Sequence, residues 1–346
     1  MKIKFTISLL FFTVLAFSQP KVGYYNSAVG KKDAELKTAL YQIIRIHDVL
    51  EYYSSSTSFL KTDWHPDGYF WDMYSNNKRT YWSGMNREHN MPKSWWSSNP
   101  ETTIAYTDLH NLYPSDATAN SAKSNYPLGI VNLNPIFTNG AVKVGTNTFT
   151  GYNGLVFEPG DEFKGDFARD YMYMVTCYED YKLNWRSLGT SSMLLSGGTY
   201  PVFKPYAINL LLQWHRNDKV SSKEKNRNNE VEKLQKNRNP FIDFPVLAEY
   251  LWGKYVGQQW SGEDVDLEDI DDFYVYYNAD NKRLFVKVNK PEMAKFIVYS
   301  INGIMKLEGN INANAEINVE ELQNGLYILL VYSGNNRFVH KFSKGK

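Results

Sequence analysis

The residue types that can do chemistry gather within residues 82–125. Glu88 and His89 sit side by side in Asn86-Arg87-Glu88-His89-Asn90-Met91-Pro92-Lys93-Ser94. Asp108-Leu109-His110-Asn111-Leu112-Tyr113-Pro114 follows, ahead of Asn120, Lys123 and Asn125. A carboxylate beside an imidazole, with amides on a polar segment downstream, suits metal-assisted hydrolysis. Glu88 can hold a hard divalent cation, an asparagine can add a second oxygen ligand, and His89 can take a proton from water. An imidazole with an ordinary pKa near ~6.5 is largely neutral at pH 7, as a base must be. Zinc fits poorly: His89 has no second histidine at metal-ligand spacing, and Cys177 is the lone cysteine.

These groups need elements to aim them. Residues 70–81 read as a strand leading into the region, and residues 82–89 as the second strand or the loop between strands. Neighbours on a regular strand point apart, so Glu88 and His89 require a bend if both serve one metal. Pro114-Ser115 marks a helix start with Ser115 as N-cap, after which Asn120, Lys123 and Ser124 share a face. That face joins an oxygen ligand to a cation, although a plain solvated helix carries the same residue types. Residues 31–53, 166–178 and 206–214 have helical apolar spacing. A further helix capped by Ser221 or Ser222 runs to about Asn237 and shows a basic face of Lys223, Lys225, Arg227, Lys233, Lys236 and Arg238. Such a face is either solvated or a track for phosphates.

The 346 residues suffice for two domains. Residues 1–18 read as a secretory signal, with Lys2 and Lys4, an apolar run and a small-x-small end at Ala16-Phe17-Ser18. That run is shorter than the ~20 residues of a membrane span, so no stable membrane insertion is expected. One cysteine allows no intramolecular disulfide, and Cys177, at helical spacing among apolar residues, reads as buried and inert. The net charge of +1 divides unevenly: residues 263–272 hold seven acids and no base, an acidic linker, while residues 273–346 carry ten bases against six acids. The part between signal and linker is then roughly +2.

Taken together, Arg87-Glu88-His89-Asn90-Met91-Pro92-Lys93-Ser94, the Asp108-Leu109-His110-Asn111 block and Asn120-Ser121-Ala122-Lys123-Ser124-Asn125 resemble the bacterial endonuclease I family. Phe157-Glu158-Pro159, Lys164-Gly165-Asp166-Phe167-Ala168-Arg169, Leu212-Gln213-Trp214-His215 and Asn237-Arg238-Asn239-Pro240 extend the likeness over residues 24–253. The resemblance implies a secreted or periplasmic nuclease with a ββα-metal (His-Me finger) active site. It implies that His89 activates water, that Glu88 and Asn120 are the metal ligands, and that the ion is Mg2+, with Mn2+ or Ca2+ as substitutes. Two protein oxygens suffice for Mg2+, which keeps several waters. Lys123 is the best placed phosphate cation, ahead of Arg87 and Arg169; relatives often carry Arg there, and Lys cannot bind a phosphate bidentately. Asp108, His110 and Asn111 are expected to support the site, and Glu158 and Asp166 receive no role. The substrate is expected to be DNA, with RNA left open, held by its phosphate backbone with weak sequence specificity.

From residue 273 short β runs at 273–276, 284–288, 295–299, 311–319, 325–332 and 336–342 are separated by turns such as Asn302-Gly303 and Asn324-Gly325, the pattern of a small β-sandwich. Ser300-Ile301-Asn302-Gly303, Asn324-Gly325-Leu326-Tyr327 and Lys341-Phe342-Ser343-Lys344 resemble the type IX secretion C-terminal sorting domain, which implies that machinery as a partner. The expected fold class is α+β: a mixed, mainly helical nuclease domain at residues 19–262, the linker at 263–272 and the sandwich at 273–346. The whole is expected to be an extracellular monomer. Two rivals stand beside this reading. One is a secreted adhesion module without catalysis, favoured by the 26 Tyr and 9 Trp. The other is a phosphodiesterase for small nucleotides.

Overall fold

The computed structural model describes residues 20–132, 134–181, 185, 187–263, 273–278, 282–288, 293–312, 314–333 and 336–344. The expected signal and residues 264–272 of the expected linker lie outside the described residues. In chain order come α1 (Asp33–Ile44), α2 (Ser55–Thr62), the strand pair β1 (Trp64–His65) and β2 (Tyr69–Phe70), then β3 (Met85–His89), β4 (Leu112–Asp116) and α3 (Ala117–Lys123). A three-stranded sheet of β5 (Phe137–Thr138), β6 (Lys143–Thr146) and β7 (Leu155–Glu158) follows. Then come α4 (Lys164–Cys177), α5 (Pro205–Asn217), α6 (Ser222–Gln235), α7 (Pro240–Asp243) and α8 (Leu247–Trp252).

The centre is α4, in which every residue from Gly165 to Cys177 is buried. A helix enclosed on all sides is ordinarily apolar all round, yet this one carries Asp166, Arg169 and Asp170 inward. A buried charge needs a partner. Lys223 Nζ meets Asp166 at 2.5 Å, and Arg169 meets both oxygens of Glu224 at 2.5 and 2.8 Å. Glu224 also closes the capping box with Ser221 that starts α6, so one carboxylate begins a helix and anchors another. Arg227 reaches Asp63 at 2.8 Å and Arg238 reaches Asp243 at 2.6 Å. Half of the expected basic face of α6 is thereby corrected. Lys223, Arg227 and Arg238 turn inward to acids, whereas Lys225, Lys233 and Lys236 are exposed, with Lys233 paired to Glu230.

Two other expectations shift. Residues 70–81 form no strand beyond Tyr69–Phe70, because Asp72 folds the chain back on itself. Its carboxylate accepts Tyr74 N, Ser75 Oγ and Asp116 N, the self-bonding that makes Asp a turn former. The first helix stops at Ile44, well short of residue 53. Asp48 N then bonds Gln235 O, and Leu50 packs with Phe59 and Val231 in a separate cluster.

The C-terminal part has its own apolar core between two antiparallel sheets, a β-sandwich. One sheet is ordered β11 (Met305–Ile311), β10 (Ala294–Ser300), β13 (Gly325–Ser333), β14 (Asn336–Lys344); the other is β12 (Asn314–Asn318), β9 (Arg283–Val288), β8 (Phe273–Asn278). Val286, Val298, Ile317 and Leu329 meet in that core. Strand β11 escaped the sequence reading because it is an edge strand whose residues are mostly solvent-facing. Among the described residues no helix is long and apolar enough to cross a membrane.

Candidate active site

The site grows from the antiparallel pair β3–β4, with Met85 opposite Asp116, Glu88 opposite Tyr113 and His89 opposite Leu112. Helix α3 begins where β4 ends. Asp116, not Ser115, is its N-cap: the Asp116 carboxylate accepts Thr118 N at 2.9 Å and Ala119 N at 2.8 Å, while the Ser115 hydroxyl is spent on the Asp116 carbonyl. Arg79 reaches the same carboxylate at 2.5 Å and ties the preceding loop to the strand-helix corner. Burial works against the Asp116 charge, but the Ala119 amide and Arg79 outweigh it and hold its pKa below the usual range. Two strands and a helix are thus locked into one β-β-α unit.

The register is regular up to His89, so the expected bend is not inside the paired strand. Glu88 and His89 instead leave it on opposite sides. Glu88 turns toward α3, where Lys123 Nζ donates to Glu88 Oε1 at 2.6 Å and to the His89 carbonyl at 3.3 Å. Burial raises the Glu88 pKa, and the Lys123 ammonium pulls it back only in part. His89 turns toward the loop before β4, and its Nε2–H donates to the Tyr106 carbonyl at 2.8 Å. A carbonyl can only accept, so this bond assigns the proton to Nε2 and leaves the Nδ1 lone pair unprotonated. The ring packs against Tyr106 at 5.0 Å and Trp96 at 5.6 Å, and burial pushes its pKa down to about 4. It is neutral at pH 7.

Asn111 clamps the chain just past His89, accepting Met91 N at 2.7 Å and donating to Met91 O at 3.1 Å. Asp108 accepts Tyr173 and Tyr178 hydroxyls, Gln235 and His110 N, which makes it a structural hub. His110 packs at a tilt against the Tyr173 ring and is kept neutral by burial, its pKa lowered to about 3. Arg87 is held by Ser55 Oγ, Ser56 Oγ and Tyr53 O beneath aromatic rings, and Arg169 is fully buried on Glu224; neither is a free phosphate cation. Glu158 takes Val131 N, Lys143 and Lys164, and Asp166 takes Lys223, so both are structural. The sequence reading overlooked Lys93 and Tyr106. Lys93 is a half-exposed cation lying over the Tyr106 ring and paired at 3.0 Å with the exposed Glu101. Tyr106 acts through its backbone carbonyl, which no residue type reveals.

Glu88 and Asn120 carry the oxygen types that a hard cation takes. Glu88 is buried with Oε1 on Lys123, and Asn120 lies half-buried on α3 one turn before Lys123. Two oxygens, one of them charged, match an ion that keeps several waters. A second group, His47, Asp108 and Cys177, also brings ligand atoms within 4.8 Å of one another. Its donors are already spent: Asp108 is saturated as above, His47 Nε2 bonds the Tyr178 hydroxyl, and burial keeps the Cys177 thiol protonated.

Comparison with known proteins follows the same division of the chain. A family model described as Endonuclease I matches residues 33–246, and one described as Secretion system C-terminal sorting domain matches residues 274–344. An extracellular ribonuclease of Bacillus amyloliquefaciens is 34% identical over 240 residues, covering 66% of this chain and 78% of the relative. The extracellular ribonuclease of Bacillus subtilis (strain 168) is 32% identical over 244 residues, with the same shares covered. A solved protein of Bacteroides vulgatus with an immunoglobulin-like β-sandwich aligns to 22% of this chain and 88% of its own at 17% identity; its TM-score of 0.20 is too low to argue from. With the endonuclease model spanning the β-β-α unit and the helices around it, the chain belongs to the endonuclease I family, as a secreted nuclease with a C-terminal sorting domain.

Proposed function

We propose that the chain is an extracellular, metal-dependent endonuclease that hydrolyses phosphodiester bonds of DNA and RNA with little sequence specificity. The observation that carries this reading is the His89–Tyr106 hydrogen bond, which leaves Nδ1 as a free lone pair on a ring held in place. His89 takes the proton of the attacking water at Nδ1 while Nε2–H stays on the carbonyl and holds the ring in place. Its low pKa keeps that lone pair free at neutral pH, and a phosphate alongside would raise its basicity once substrate is bound. Glu88 and Asn120 hold a divalent cation, Mg2+ by their hard-oxygen chemistry, with Mn2+ or Ca2+ as substitutes. When bound, the cation neutralises charge on the phosphate and on the leaving oxygen. Lys93 is the solvent-facing cation for the backbone. The names of the two Bacillus relatives support RNA as a substrate beside DNA. Residues 19–262 form the nuclease unit, 263–272 the linker and 273–346 the unit read by the type IX machinery, after removal of a signal at 1–18.

The test is digestion of plasmid DNA and of ribosomal RNA by the full-length secreted protein, in Mg2+ and in excess EDTA. Cleavage in Mg2+ and none in EDTA is expected. Undiminished cleavage in EDTA would overturn the metal assignment, and inertness toward both polymers would overturn the substrate assignment.

A further inference from the structure

Glu88 already has a cation. The Lys123 ammonium, fully buried in the last turn of α3, lies 2.6 Å from Glu88 Oε1. Among the described residues Lys123 has no other carboxylate, and no other cation is hydrogen-bonded to Glu88. The pair is therefore electrically neutral. A divalent ion arriving at Glu88 alone meets a spent negative charge and a like charge a few ångströms behind it. The missing counter-charge must come from something else, and the group that visits this site carrying it is a phosphate. Lys123 itself is sealed from solvent, so the phosphate would supply its charge to the ion at Glu88 across space and not by bonding the ammonium.

We propose that Lys123 neutralises Glu88 in the free protein so that divalent cation and substrate phosphate bind together, each weakly alone and tightly with the other. The inference rests on the reading of Glu88 as the cation ligand. By linkage the enhancement is reciprocal: nucleic acid tightens the cation by the factor with which the cation tightens nucleic acid. The plainer alternative is that Lys123 only buttresses β3 against α3, and it predicts no such coupling.

The test uses full-length protein carrying His89→Ala, so that substrate stays uncut, with Mn2+ titrated calorimetrically with and without a single-stranded DNA oligonucleotide. The oligonucleotide should tighten Mn2+ at least about tenfold. Adding Lys123→Met should tighten Mn2+ by a similar factor without oligonucleotide and shrink the enhancement, while Lys123→Arg should retain both properties of the parent. A folded Lys123→Met protein that binds Mn2+ no tighter than its parent, or a parent indifferent to the oligonucleotide, overturns the inference. If Lys123→Met fails to fold, Lys123→Gln and the oligonucleotide dependence of the parent decide. Mn2+ that binds nowhere, together with EDTA-resistant cleavage by protein retaining His89, overturns the cation reading itself. EDTA-sensitive cleavage without coupling removes this inference alone.

Discussion

The nuclease body and the C-terminal sandwich solve the same problem, a stable core, by different means. In the body, charges go inside: Arg169–Glu224, Lys223–Asp166, Arg227–Asp63 and Lys37–Glu179 all join buried partners across distant elements. In the sandwich the core is apolar, and the ion pairs Lys282–Glu320, Arg283–Glu316 and Lys295–Glu308 lie on the surface with both side chains about half exposed. Buried pairs are stabilising only as complete units, because losing one partner strands a charge in a low dielectric. Surface pairs are screened and nearly dispensable. The body therefore buys geometric precision around Glu88 and His89, where chemistry demands it, whereas the sandwich needs only to hold its shape.

The sharpest cut through this contrast is at His89. His89→Ala should lower turnover by ~10²–10⁴-fold while leaving Mn2+ affinity largely intact, as expected for a base that is not a ligand. Glu88→Ala and Asn120→Ala should weaken the ion instead. Rates and calorimetry on the three proteins check this, and an equal loss of metal affinity in His89→Ala would make His89 a ligand. Next in size is Asp63→Ala, which leaves Arg227 uncompensated behind β4, where it also bonds the Leu112 carbonyl at 3.0 Å. A loss of ~3–5 kcal/mol in urea unfolding is expected. A loss below about 1 kcal/mol would erase the distinction from the sandwich.

Acid should act on the body through His110 and His215, both lowered by burial to about 3. In the unfolded chain each has a pKa near ~6.5, so between these values the unfolded state binds more protons. Their stabilising contribution is complete above pH 6.5 and is lost as pH falls through that window, by about 2 kcal/mol per histidine on reaching pH 5. Asp218, raised to about 7, and Asp72, raised to about 6, work in the opposite sense, gaining stability as pH falls. A comparison with His110→Asn isolates the histidine: the stability difference between parent and variant should shift by that amount from pH 7 to pH 5. A constant difference would mean that His110 is not held neutral.

The smallest effects belong to the sandwich. Removing residues 273–346 should leave the rate per folded molecule within a few-fold, because no acid, base and ligand constellation like that around His89 lies among its described residues; circular dichroism and a nuclease assay together check this. A folded but inactive truncation would make the sandwich part of the enzyme. Glu316→Ala should cost no more than ~1 kcal/mol, the contrast to Asp63→Ala in the same assay.

How far the chain could be read ahead of its structure follows from the same contrast. Strands β8, β9, β10, β13 and β14 were legible because alternation and Asn-Gly turns are local signals, and only the exposed edge strand β11 was missed. Glu88, His89, Asn120 and Lys123 were legible as residue types at a spacing. Their arrangement was not. Ser115 and Asp116 are both good caps, and the choice fell to Asp116 because Arg79 and the β3 pairing fix that corner in space. The inward turn of Lys223, Arg227 and Arg238 required Asp166, Asp63 and Asp243, two of them more than fifty positions away along the chain.

The amino-acid sequence by itself determined the family, the order of the two parts and the atoms available for chemistry, since these depend on residue identity and near-neighbour pattern. Only the tertiary structure decided that His89 carries its proton on Nε2, through a carbonyl 17 residues away. It alone decided that Glu88 faces an ammonium rather than open water. Both are consequences of burial. Inside a packed core a polar atom must take whatever partner the fold brings to it, and which partner that is depends on distances that no local stretch of sequence contains.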